Sequence, residues 1–221
     1  MGRRTQPMSM GSSLLCRRRA LRLAGIGLIA AARRAGAAAE GVAGSLPNLR
    51  FRMQRADTGA VASEGDFRGS VVLLYFGYAS CPDICPTTLA NLAAVLDRLG
   101  PLGAGVRVLF VSVDPARDTL AALRQATTPF GPRVVGLRPT PDMLDAVARR
   151  YRVAYSVRPA RGKEPYTVTH ATGVYVFDSA GAARAILTGL DQPSPDLDEA
   201  AAAIRQAARP RPGFMAWLLG G

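Results

Sequence analysis

Two thiols stand four residues apart in the run Phe76-Gly77-Tyr78-Ala79-Ser80-Cys81-Pro82-Asp83-Ile84-Cys85-Pro86-Thr87-Thr88-Leu89. They are the only cysteines beyond position 16, and His170 is the single histidine of the chain. A spacing of four puts both side chains on the same side of a helical turn, where the sulfurs approach each other or share an ion. The loop between them is one residue longer than the two-residue loop of ordinary thioredoxins, which gives a soft metal room between the sulfurs. Thiolates favour Cu(I), and one histidine nitrogen added to two thiolates gives a low-coordinate site that also tolerates Cu(II). Structural zinc takes four ligands. Beyond Cys16 the chain offers no second histidine and no third cysteine, so ligand count favours copper.

Plainer uses of these residues stay open. In an exported protein the pair serves equally as a structural disulfide, and a lone histidine is commonly a surface or packed residue. Asp83, between the thiols, is either a turn residue or a group that touches the site or a partner from outside.

The surrounding elements have to position the three side chains. Residues 49–61 alternate around Asp57-Thr58-Gly59 and predict an N-terminal hairpin. Val71 to Phe76 is a continuous apolar run, suited to a strand covered on both faces. Pro86 suits the first turn of a helix, and Leu89, Leu92, Val95, Leu96 and Leu99 recur at helical spacing over Thr87 to Leu99. Val106 to Val113 is a second buried strand, followed by Asp114-Pro115-Ala116-Arg117-Asp118-Thr119 and a helix over Leu120 to Thr127. A short strand at Val134 to Leu137, a helix over Pro141 to Tyr151, an extended segment Arg152 to Val157 and a loop Arg158 to Pro165 come next. Val174 to Phe177 and Ala183 to Leu187 form a hairpin, and Leu197 to Ala208 a closing helix. A dithiol between a central strand and the helix after it, in an α/β chain, predicts a thioredoxin-like fold: a central mixed sheet flanked by helices.

The chain has 221 residues, enough for one domain with a full core and terminal extras. Its net charge is +12, yet residues 1–39 hold eight arginines and no acid, so the balance without them is only +4. The folded part therefore lacks a strong basic field, and no basic stretch is interleaved with aromatics. Both facts argue against nucleic acid as a partner.

Residues 1–39 read as an export signal: Arg17-Arg18-Arg19, an apolar core from Leu23 to Ala32, then Arg33-Arg34 and the small residues Ala35 to Ala39. The run Arg18-Arg19-Ala20-Leu21 and the mild core fit the twin-arginine type. That core is well short of the roughly 20 residues that cross a bilayer. The expected location is periplasmic, with an uncleaved signal as the route to an inner-membrane tether. Cys16 precedes the apolar core, whereas a lipoprotein cysteine follows it, and is read as incidental. Residues 209–221 form a Pro/Gly-rich tail whose Phe214, Met215, Trp217 and Leu218 either dock on the domain or touch a membrane.

Three motifs in order, Phe76-Gly77-Tyr78 with Cys81-Pro82-Asp83-Ile84-Cys85-Pro86, then Val111-Ser112-Val113-Asp114-Pro115-Ala116-Arg117-Asp118-Thr119, then His170 ahead of Val174-Tyr175-Val176-Phe177-Asp178, closely resemble the Sco/SenC family. That family comprises thioredoxin-fold copper proteins of cytochrome c oxidase assembly, and the resemblance spans roughly Leu46 to Ala208. It implies Cys81 and Cys85 as thiolate ligands and His170 as the nitrogen ligand. Asp114, Arg117 and Asp118 match a motif without thereby becoming ligands; an Asp-Pro turn that caps the next helix accounts for them. Thr169 departs from the aspartate that often precedes the histidine in the family.

The leading functional expectation is a periplasmic copper metallochaperone that passes copper by ligand exchange to the binuclear site in the copper-binding subunit of cytochrome c oxidase. An upstream copper chaperone or thiol reductase would supply it. The alternative is a thiol-disulfide oxidoreductase in which Cys81 and Cys85 are a catalytic redox pair and His170 is dispensable. A peroxidase is weaker, because no arginine or tryptophan stands beside the motif to activate a thiolate. A structural module would keep the thiols permanently joined.

Overall fold

The computed structural model describes residues 38–209. The expected export signal, apart from Ala38 and Ala39, lies outside the described residues, as does the tail beyond Arg209. The apolar run forms β4 (Val71–Gly77), and every one of its residues is buried. It pairs in parallel with β5 (Val106–Ser112), which pairs in parallel with β6 (Val134–Arg138). On its other side β4 runs antiparallel to β9 (Val174–Phe177), which forms a hairpin with β10 (Ala183–Thr188). The expected N-terminal hairpin is present as β2 (Arg52–Arg55) and β3 (Val61–Ser63), with β2 antiparallel to β6. It extends the main sheet instead of standing alone.

A strand absent from the sequence expectations, β1 (Ala38–Gly41), closes the opposite edge against β10. It takes in the last two residues of the 1–39 segment. Its alanines and glycine carry little strand preference, so the pairing comes from the free edge of β10. The resulting sheet has eight strands in the order β1-β10-β9-β4-β5-β6-β2-β3.

Alternation along β4 divides the core into two layers. Leu73 and Tyr75 pack with Leu89, Leu92 and Leu96 of α1 (Ile84–Arg98), Leu123 of α2 (Leu120–Thr127) and Ile204 of α4 (Leu197–Ala208). Val72, Leu74 and Phe76 face the other way, toward Leu144, Val147 and Tyr151 of α3 (Pro141–Tyr151). A mixed sheet with helices on both faces is the expected thioredoxin-like sandwich.

Two details differ from the sequence expectations and both bear on the site. Helix α1 begins at Ile84, so Cys85 already lies in its first turn. Pro86 does not delay the start, because the first four N–H groups of a helix have no intrahelical acceptor to lose. The second difference is a separate two-stranded sheet, β7 (Tyr155–Arg158) with β8 (Thr167–His170), in which His170 pairs with Tyr155. Only an extended segment is predicted for the first strand and none for the second, since each is four residues long and contains no buried residue.

Candidate metal centre

The loop between β4 and α1 carries Cys81, and its backbone is pinned from several sides. The Cys81 N–H donates to the Tyr78 carbonyl at 3.2 Å, and the Val113 N–H donates to the Gly77 carbonyl at 2.7 Å. Asp118, only 2% exposed, accepts the Ala79 N–H at 3.0 Å and the Ser112 hydroxyl at 2.6 Å. Burial raises the Asp118 carboxyl above the usual range, while the bonds from Ser112 and Ala79 oppose that rise. This corrects the capping account of the 114–119 run: α2 is capped by Thr119, whose side chain accepts the Ala122 N–H at 3.1 Å. Asp118 instead holds the loop that presents Cys81.

The two thiols have different environments. Cys81 is partly exposed, whereas Cys85 is 2% exposed beneath it. The Cys85 N–H points at the Cys81 sulfur at 3.3 Å. The Cys85 thiol, with the Cys85 and Asp83 backbone donors behind it, holds Cys81 well below the ordinary thiol range. The partial positive charge at the start of α1 acts in the same direction. Cys85 shifts the opposite way, because its thiol donates toward Cys81 and because it is buried.

His170 arrives from β8. Its Nδ1 lies 3.0 Å from the Ala171 carbonyl oxygen, which only accepts, so Nδ1 carries the proton and Nε2 presents its lone pair. Nε2 sits 3.4 Å from the Cys85 sulfur. The edges of Tyr75 and Tyr78 brace the imidazole, with centroid distances of 6.1 and 5.9 Å. Burial and the Cys81 sulfur push the Tyr78 hydroxyl up to about 12.

The one ligand atom of each of Cys81, Cys85 and His170 lies within 4.8 Å of the other two. Two sulfurs and one oriented imidazole nitrogen form a soft donor set that fits a monovalent or divalent copper ion better than a hard cation. Gly77 makes room for this arrangement: a Cβ there would sit 2.8 Å from the Cys85 sulfur and overlap the Phe110 ring. Asp83 stays outside. Its side chain is exposed and accepts only a long bond from the Thr87 hydroxyl at 3.5 Å, while its backbone N–H faces Cys81.

Sequence reasoning missed the support given by Tyr166, just before β8. Its hydroxyl donates to the 3%-exposed Asp114 at 2.9 Å, and the Arg117 guanidinium lies 4.0 Å from its ring centroid. The 114–118 run thus grips both pieces of the centre, the Cys81 loop through Asp118 and the His170 hairpin through Asp114 and Arg117. The sequence marked that run as a motif and as dense in charge, but nothing in it pointed to Tyr166.

The SCO1/SenC family model matches residues 48–209. Mitochondrial protein SCO2 homolog from Bos taurus is 42% identical over 125 residues, which is 56% of this chain and 47% of that protein. Protein SenC from Rhodobacter capsulatus is 38% identical over 122 residues, 55% of each chain. The match thus spans about half the length of these relatives. Bradyrhizobium japonicum ScoI, solved with copper bound, is structurally similar with a TM-score of 0.62 at 30% identity, over 73% of this chain and 99% of that one. With the family model covering nearly all of the described residues, and with the dithiol and histidine gathered at one point of a thioredoxin-like sheet, the chain belongs to the SCO1/SenC family.

Proposed function

We propose that this chain is a copper metallochaperone that binds one copper ion through Cys81, Cys85 and His170 and delivers it to the copper-binding subunit of cytochrome c oxidase. The observation that carries the reading is the meeting of those three ligand atoms within 4.8 Å. Copper is the cargo in this account. The buried Cys85 and the oriented His170 form the retaining side of the site, and the more exposed Cys81 is where an incoming thiolate competes for the ion. Ligand exchange then proceeds without breaking a covalent bond in the acceptor. The copper bound by ScoI of B. japonicum supports the choice of metal.

Delivery to an oxidase subunit places the work outside the cytoplasm at a membrane surface, in keeping with the basic and apolar pattern of residues 1–39. Among the described residues no helix is long and apolar enough to cross a membrane. An upstream copper chaperone or a thiol reductase would supply copper or reduced thiols.

A second reading draws on the unequal thiols. An acidic, accessible Cys81 over a buried Cys85 suits an attacking and a resolving thiol. In that chemistry the Cys81 thiolate attacks a partner disulfide, Cys85 resolves the mixed disulfide, two electrons and the accompanying protons pass to the partner, and Cys81 and Cys85 end joined. Copper stoichiometry on the reduced protein tests the first reading. One copper per chain is expected, abolished by Cys81→Ser with Cys85→Ser and unstable as Cu(II) in His170→Ala. Absence of bound copper alongside reversible dithiol cycling would leave only the second.

A further inference from the structure

Tyr75 is 0% exposed in the middle of β4, and its hydroxyl has no hydrogen-bond partner among the described residues. Native proteins rarely leave such a group unpaired. Its surroundings are specific: the ring lies edge-on to His170 at 6.1 Å and tilted against Phe110 at 5.8 Å. Thr88 and Cys85 are polar side chains that act on the oxygen, yet neither meets it in hydrogen-bond geometry. The Thr88 hydroxyl is already committed, donating to the Ile84 carbonyl at 2.8 Å. A tyrosine hydroxyl is protonated at neutral pH and so is available as a donor. What it lacks is a strong acceptor.

We propose that Tyr75 is a positioning residue for the metal centre, whose hydroxyl donates to the Cys85 sulfur when that sulfur is a metal-bound thiolate. The inference rests on the copper reading above and deepens it. A thiol is a weak acceptor, and the Cys85 sulfur already lies 3.4 Å from His170 Nε2. A metal-bound thiolate is a much better one, so the hydroxyl finds its partner only in the loaded protein. A hydrogen bond to a coordinated sulfur withdraws electron density from it. That stabilises Cu(I) relative to Cu(II) and moves the sulfur-to-copper charge-transfer band to higher energy. Tyr75 would then set how readily the centre holds each oxidation state, from a position that never touches the ion.

Tyr75→Phe removes the oxygen and keeps the ring packing. Reduced parent and variant are each titrated with Cu(I) and Cu(II) in the presence of competing chelators, their charge-transfer spectra recorded and their apo melting curves compared. The expected result is an apo protein at least as stable as the parent, a ratio of Cu(I) to Cu(II) affinity lowered about tenfold, and a charge-transfer band at longer wavelength. Thr88→Val, which removes the other polar side chain near the hydroxyl, is expected to keep the parent spectrum and ratio. An unshifted band and ratio in Tyr75→Phe beside a normally loaded parent overturns the inference alone. So does a Thr88→Val that reproduces the Tyr75→Phe shifts, since the hydroxyl would then act through Thr88. A parent that takes up no copper removes the copper reading and the inference together.

Discussion

Cys81 stands partly exposed ahead of α1 while Cys85 lies 2% exposed within its first turn, so two chemically identical groups are pushed in opposite directions. The Cys81 shift comes chiefly from the Cys85 thiol, and it is downward, so its thiolate persists below the pH where ordinary thiols protonate. Alkylation at pH 6, read by mass spectrometry of the reduced copper-free chain, is therefore expected to modify Cys81 well ahead of Cys85, with the preference fading only as acid protonates Cys81. Equal labelling, or Cys85 first, would contradict the asymmetry. Gly77 is the second case in which one atom decides. A methyl group there meets the Cys85 sulfur at 2.8 Å and the Phe110 ring more closely still. Gly77→Ala is expected to cost about 1–3 kcal/mol by overpacking and to weaken copper retention more than an alanine elsewhere on the sheet would, as unfolding and copper-competition curves would report.

The three side chains come from segments that do not adjoin in sequence, the β4–α1 loop with the first turn of α1 and the β7–β8 hairpin, and the 114–118 run ties them together. Asp118→Ala would leave the Ala79 N–H and the Ser112 hydroxyl without their acceptor. The expected cost is about 3 kcal/mol, with the Cys81 loop loosened; a variant as stable as the parent in urea would show that those bonds do not hold the loop. Tyr166→Phe acts on the other arm, removing the bond to Asp114 while keeping the stacked ring under Arg117. Cu(II) release on the order of tenfold faster, measured by stopped-flow chelation, is the expected outcome, and an unchanged rate would mean that the hairpin is held by its strand pairing alone. Little of this bracing was legible beforehand. Asp118 bonds to a backbone group 39 residues away, and β8 is a four-residue strand with alternate residues exposed, too brief for periodicity to declare. The apolar run of β4 and the helical spacing of α1 were legible because burial on both faces, or along one stripe, writes itself into consecutive residue types. Tyr75 was readable as a strand residue but not as a neighbour of the centre, since that depends on which face of β4 meets His170.

The molecule places its reactive pair at the end of β4, in the interior of an eight-stranded sheet whose two edges, β1 and β3, lie far along the strand order. Changes at an edge should therefore reach stability without reaching the site. A chain that begins at residue 46, and so lacks β1, gives up four cross-strand pairs with β10 and the bond from the Ala39 N–H to Glu199. A loss of about 1–2 kcal/mol is expected from such short pairings, a fall of roughly 2–8 °C in melting temperature, with copper stoichiometry unchanged; loss of copper binding in that chain would show that the edge and the centre are coupled. The most direct measurement mixes the reduced, copper-loaded chain with a reduced, copper-free binuclear-copper domain of an oxidase subunit, separates the two, and assays copper and thiols in each. The account predicts that copper moves to the acceptor while both proteins keep their thiols. Copper that stays behind, while the copper-free chain reduces the oxidised acceptor and ends with Cys81 and Cys85 joined, would contradict it.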